Sequence, residues 1–266
     1  LIQQKIQHGP LRLIFTVDEE TNMTGALSLS ADHVKDAKYV INCDSESIHV
    51  ICVASAGSCH MEFTRDLHRC APTGDTALTV RAHALAGGHS GEVINEGRGN
   101  AIKAVADVLY RLSEGGVEYA LADYKGGVAA NAIPSDASAV VVVAAKDVDR
   151  VKATVAAAEK DFNLVYGETD PNAVFEVTPA DLPKSVLSAE DTTSIVDVIN
   201  LLHCGVFAMD RRLPRLPALS ASLGLLRLEK MYWPSSTSPV RRLMLVCRLW
   251  FASCLLWQNA RERRFT

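Results

Sequence analysis

The chain has 266 residues, a formal charge of −4 and a pI near 6.1. That length can bury a large core in one large or two medium domains, and the charge gives no reason to expect nucleic acid as a partner. Hydrophobic residues at 48% against 22% charged are the balance of a soluble globular protein and exclude a disordered chain.

The seven cysteines are odd in number and form no CxxC pair, which argues against a disulfide scaffold and a thiolate zinc site and favours a reducing, cytoplasmic setting. Each is expected to be a small buried hydrophobe. Leu1 opens the chain with neither initiator Met nor signal peptide, a start that reads as internal to a longer protein.

In chain order, "LRLIFTV" (residues 11–17) has the composition of a strand and ends on three acids, Asp18, Glu19 and Glu20. "GALSLSADHV" reads as a short helix, and "KYVINCDSES" and "IHVICVASAG" as strands, the first ending in acids. "HMEFTRDL" and "TALTVRAHAL" alternate as half-buried antiparallel strands do. "NAIKAVADVLYRL" (100–112) sets Ile102, Val105, Ala106, Leu109 and Leu112 on one helical stripe. "EYALADYKGG" and "SAVVVVAA" read as strands, and "DVDRVKATVAAAEKDF" as a second amphipathic helix opened by an acidic cap. The order strand, helix, strand, strand, helix, strand predicts a two-layer α+β domain over about 75–179, following a piece of a different α/β sheet.

The tail departs from this pattern. From about residue 235 acids nearly vanish and Arg displaces Lys. "RRLMLVCRLWFASCLLWQNARERR" is short for a membrane span and is interrupted by Arg248, which leaves an interfacial helix, a buried helix, or a segment not selected to fold, as after a reading-frame error. No membrane partner is expected.

The acids after residue 17 have two readings. Asp18 or Thr21 could cap a following helix, or the carboxylates could form a metal or general-base site at a sheet edge. Asp44 follows another apolar run and could project from the same edge as Glu19 and Glu20; alone it would be a turn residue. In "LAGGHSGEVINEGRGNA" (85–101), glycines flank His89 and leave its imidazole prominent, which favours function over a structural role.

"FTVDEETNMTGA", "INCDSES", "GGHSGEVINEGRGNA" and "GGVAANAIPSDASAVV" occur in the order and at roughly the spacing found in aminoacyl-histidine dipeptidases. The chain resembles this family of co-catalytic zinc metallopeptidases over about residues 11–229. The resemblance implies an α/β fold in which a partial zinc-peptidase catalytic domain (1–73), a mixed sheet with helices, precedes an α+β two-layer lid and dimerisation domain (74–232) and an atypical tail (233–266). It implies two zinc ions per active site, a small peptide substrate and a homodimer through the lid. Glu19 matches the general base, Glu20 and Asp44 the carboxylate ligands of the two zinc ions, and His89 the lid histidine that polarises the scissile carbonyl in the partner's site. Asn131, in "NAIP", resembles a lid residue near the substrate.

In the family a His-x-Asp pair and a bridging Asp precede the Glu-Glu pair and a final His ligand lies near the C terminus; no counterpart is readable here. Ser222 stands where relatives tend to have Asn, and Arg241 and Arg242 receive no role. The expected function is metal-dependent hydrolysis of Xaa-His dipeptides. The alternatives are a non-catalytic dimerisation or binding module, and a related tripeptidase or acyl-amino-acid deacylase.

Overall fold

Between Asn100 and Gly115 the apolar residues recur at helical spacing, and the computed structural model forms there the helix on which the rest of the fold packs. The structure describes residues 7–19, 23–43, 56–231 and 240–251. The chain divides into two compact units, Leu1–Val53 and Ala54–Thr266.

In the first unit the described residues form one short helix, α1 (Thr24–Leu27), and a 3-10 turn (Ala31–His33). None of them is buried. The expected strand at 11–17 is not formed, and Phe15 is 90% exposed. Residues 38–43 of the next expected strand are likewise irregular; residues 44–55 lie outside the described residues. Apolar composition alone does not make a strand, because its N–H and C=O groups need a neighbouring strand to pair with. Asp18 caps no helix: its backbone turns left-handed (φ 63°) and its carboxylate accepts the Thr24 hydroxyl at 2.7 Å.

The second unit is built on an antiparallel sheet. Its strands are β1 (Gly57–Leu67), β2 (Arg69–Cys70), β3 (Thr76–His83), β4 (Gly88–His89), β5 (Tyr119–Gly126), β6 (Ala132–Ile133), β7 (Ala137–Val143), β8 (Val174–Ala180), β9 (Val186–Leu187), β10 (Gly205–Met209), β11 (Pro217–Met231) and β12 (Val240–Phe251). The main sheet runs β1-β12-β11-β5-β7-β3-β8, with β10 also paired to β11; β2-β9 and β4-β6 are separate ribbons. Helices α2 (Ser90–Val93), α3 (Ala101–Glu114), α4 (Val148–Tyr166) and α5 (Ala189–Leu201) complete it. The protein is therefore of mixed α/β class, and the expected order of β3, α3, β5, β7, α4 and β8 is present.

Period-two patterning decides which strand face meets the helices. Leu78, Val80 and Ala82 of β3 and Ala139, Val141 and Val143 of β7 join one core with Ile102, Val105, Val108, Leu109 and Leu112 of α3. Those five α3 residues are fully buried, and each such burial stabilises by about 1.5–3 kcal/mol. On the other face Ala77, Ala122, Val142 and Val186 form a small second cluster.

Two bulges adjust the alternation. A register shift between Leu121 and Asp123 lets both Leu121 and Tyr124 face α3, and one between Leu223 and Leu225 does the same for Leu223 and Leu226. At the second bulge a Cβ on Gly224 would lie 2.4 Å from the Ala130 carbonyl oxygen, so this close approach of two backbones requires glycine.

Several expectations are corrected. The tail is a strand, not a helix, over 240–251: Leu243, Leu245 and Cys247 alternate into the core while β12 pairs with β1 and β11. β1 is a strand but is mostly exposed. Asp147 stands at the start of α4 without capping it, because its carboxylate binds Arg150 at 2.8 Å. Cys43, Cys59 and Cys70 are exposed; Cys247 is buried. Among the described residues no helix is long and apolar enough to cross a membrane.

Two polar anchors fix the helices. Asn100 caps α3, its Oδ1 accepting from the Ile102 and Lys103 amides, while its Nδ2 donates to the Leu223 carbonyl at 2.9 Å. Asp191, in the first turn of α5, accepts from the His68 amide at 2.7 Å and pairs with Arg65 at 2.9 Å. Burial alone would push the Asp191 carboxyl up, but hydrogen bonds from His68 and Ser188 and the Arg65 charge hold it below the usual range.

Asn100→Ala is expected to lower stability by about 2 kcal/mol in chemical denaturation. Asn100→Asp should recover only part of this, since a carboxylate caps α3 but cannot donate to Leu223. A carboxyl held below its unfolded value of about 3.9 stabilises the fold above that pH, and the contribution fades as pH falls through the folded value. Asp191→Asn should therefore melt at a lower temperature than the parent at pH 7, with the difference shrinking as pH falls below the unfolded value of about 3.9.

Candidate functional site

The loop between β3 and α3 carries His89, and three sequence motifs interlock around it. Leaving β3, the chain turns through Ala84 (φ 58°), Gly87 (φ 61°) and Gly88 (φ 120°). A Cβ at Gly88 would lie 2.8 Å from a Val93 methyl and 2.7 Å from Arg98, so the turn demands glycine on both conformation and space.

β4 then pairs with β6, Gly88 opposite Ile133 and His89 opposite Ala132. The Asn131 carbonyl accepts from the Ser90 amide at 2.7 Å and the Ser90 hydroxyl at 2.9 Å, and Ser90 is fully buried. Thus GGHSG and NAIP, distant in sequence, form one ribbon. The third motif, GRGNA, closes the loop. Arg98 donates to the Gly87 carbonyl at 2.5 Å and binds Glu96 at 2.6 Å, and the Ala101 amide donates to the Pro134 carbonyl at 3.0 Å.

His89 sits at the start of α2, half-buried, with extended backbone (φ −72°, ψ 120°). The structure therefore brings His89 beside the Asn131 segment. Glu19 is exposed and belongs to the first unit. Glu20 and Asp44 lie outside the described residues. Among the described residues no three His, Cys, Asp or Glu side chains gather to hold a metal. Two carboxylates are an incomplete donor set for zinc, which takes three protein ligands at catalytic sites and usually includes imidazole.

Beside the loop a groove of about 790 Å³ runs between α3, α4 and β10. Ile94 and Arg98 at one end, Phe162 and Tyr166 on α4, and Phe207 on β10 line it; His89 and Asn131 do not. At its base Lys103 donates to the carbonyls of Ile199, Asn200 and Leu202 at 2.7–2.8 Å, placing a cation at the C-terminal end of α5. Burial raises the nearby Cys204 thiol, so it is not primed as a nucleophile; burial lowers the Lys103 ammonium, which is nonetheless committed to its three carbonyl partners.

Sequence reasoning passed over Asp170. Its carboxylate is 1% exposed and accepts from the amides of Ala86 and Gly99, both at 2.7 Å. The only local sign was a turn signal, "TDP", after α4.

The peptidase dimerisation domain model matches residues 82–170, which contain this loop. The cytosol non-specific dipeptidase of Escherichia coli (strain K12) is 32% identical over 209 residues, covering 77% of this chain and 42% of that protein. The crystal structure of an aminoacylhistidine dipeptidase from Vibrio alginolyticus superposes with a TM-score of 0.76 at 24% identity, covering 93% of this chain and 48% of that one. The chain thus spans less than half the length of either relative. The fold agrees with these likenesses, and residues 82–170 match the dimerisation domain of M20 peptidases.

Proposed function

We propose that this chain supplies the lid and part of the catalytic half of a zinc-dependent dipeptidase, cytoplasmic and homodimeric, acting on Xaa-His dipeptides. The observation that carries this reading is the interlocking of GGHSG, NAIP and GRGNA inside the peptidase dimerisation domain, which holds His89 half-exposed on a braced turn. Residues 74–232 are the proposed lid, through which two chains pair.

Glu20 and Asp44 are the proposed zinc ligands, completed by imidazoles that this chain does not identify. When bound, zinc would polarise the substrate and lower the pKa of a water. Glu19 would take the proton from that water, a task for a carboxylate not itself occupied by metal. His89 would donate to the scissile carbonyl oxygen as charge develops there, and Asn131 would orient the dipeptide. A neutral imidazole can do this with one N–H, and its two-glycine turn lets it approach without steric conflict.

The match of residues 82–170 to a peptidase dimerisation domain supports a second reading, a lid that pairs chains or binds peptide without catalysis. The two separate in an enzyme that contains this chain together with a full ligand set. Glu19→Gln should lower kcat by about a thousandfold with zinc content unchanged, whereas Glu20→Ala should lose zinc. His89→Ala should lower kcat by about a hundredfold or more. Unchanged turnover in both Glu19→Gln and His89→Ala would favour the binding module.

A further inference from the structure

The His89 loop is fastened at both ends by one side chain. Asp170 follows α4, and its Oδ1 accepts from the Ala86 amide while its Oδ2 accepts from the Gly99 amide, each at 2.7 Å. These two residues bracket the whole turn: Gly87 and Gly88, His89, α2 and Arg98. The carboxylate is 1% exposed, so the bonds form away from competing water. Thr169 adds to the fastening, its hydroxyl lying 3.3 Å from the Gly97 carbonyl and 3.2 Å from Asp170 Oδ2.

Within the bracket the backbone is held by the β4–β6 pairing, by Ser90 on the Asn131 carbonyl and by Arg98 on the Gly87 carbonyl, and its two ends are held by Asp170. Gly87, Gly88 and Gly97 all sit at positive φ, α2 is a single turn, and β4 has two residues. Such a segment gains no conformational restraint from side chains at its glycines, so its geometry also depends on where its ends are fixed. Gly99 also abuts α4, where a Cβ would fall 2.4 Å from the Phe162 ring. Asp170 and Phe162 therefore both tie the loop to α4 and its C-terminal turn.

We propose that Asp170 is a positioning residue for His89: it pins both ends of the 86–99 loop and thereby sets the reach of the imidazole. This rests on the reading of His89 given above. Asp170 does not touch substrate in this account; it acts through the loop. An amide in its place has one acceptor oxygen, and turning that oxygen to either backbone N–H leaves an NH2 group facing the other.

The test uses Asp170→Asn, with Thr169→Val as a milder variant that removes only the hydroxyl. In hydrogen exchange on this chain, Asp170→Asn should speed exchange of the 87–98 amides at least tenfold while β3, β5 and β7 stay protected; Thr169→Val should shift the same amides less. Unchanged exchange at 87–98, or faster exchange spread evenly over the sheet, would overturn the proposal.

In an enzyme that contains this chain with a full ligand set, Asp170→Asn should lower kcat at least tenfold with KM little changed. The loss should vanish when measured in a His89→Ala background, because residues that act as a unit are non-additive. Equal losses in both backgrounds would overturn the positioning role. If His89→Ala itself turns over like the parent, the catalytic reading of His89 fails, and the exchange data alone report whether Asp170 pins the loop.

Discussion

The fold of the second unit depends on the burial of one helix against one face of an antiparallel sheet. Ile102, Val105, Val108, Leu109 and Leu112 are withdrawn completely from solvent, and β3, β5, β7 and β11 each present apolar residues to them. The two bulges in β5 and β11 keep that face continuous where strict alternation would have turned a leucine outward. The first turn of α3 is fastened by Asn100, so the loop that precedes it, with His89, inherits a fixed exit point.

The His89 loop, the proposed site of this unit, leads into the N-terminal end of this helix. Segments that read in the sequence as separate motifs converge there, because β4 and β6 form a ribbon and because the Pro134 carbonyl receives the Ala101 amide. Asp170 and Arg98 close the loop from opposite sides, one through its amides and one through the Gly87 carbonyl. A turn rich in glycine can place an imidazole closely, but only if its ends are immobilised.

Much of this was legible in the residues. The stripe of α3 and the alternation in "TALTVRAHAL" give their elements directly, and the glycines around His89 mark a turn. What was not legible depends on partners distant in the chain. The run 240–251 carries enough Leu and Val for helix or strand, and pairing with β1 and β11 decides it. "LRLIFTV" has strand composition yet stays irregular among the described residues, since β structure is a property of neighbours as much as of sequence. Asp170 could not be singled out because its two amide donors lie on a loop far upstream. Glu20 and Asp44 fall outside the described residues, so their reading still rests on the resemblance.

The central claim is that the lid pairs two chains so that His89 of one serves the site containing Glu19 of the other. It is tested most directly by mixing His89→Ala chains with Glu19→Ala chains, each inactive alone, in an enzyme that contains this chain with a full ligand set. Turnover regained in the mixed dimer is the result predicted, since one of its two sites would hold an intact Glu19 and an intact His89. No activity regained, with mixed dimers verified by native mass spectrometry, would contradict it.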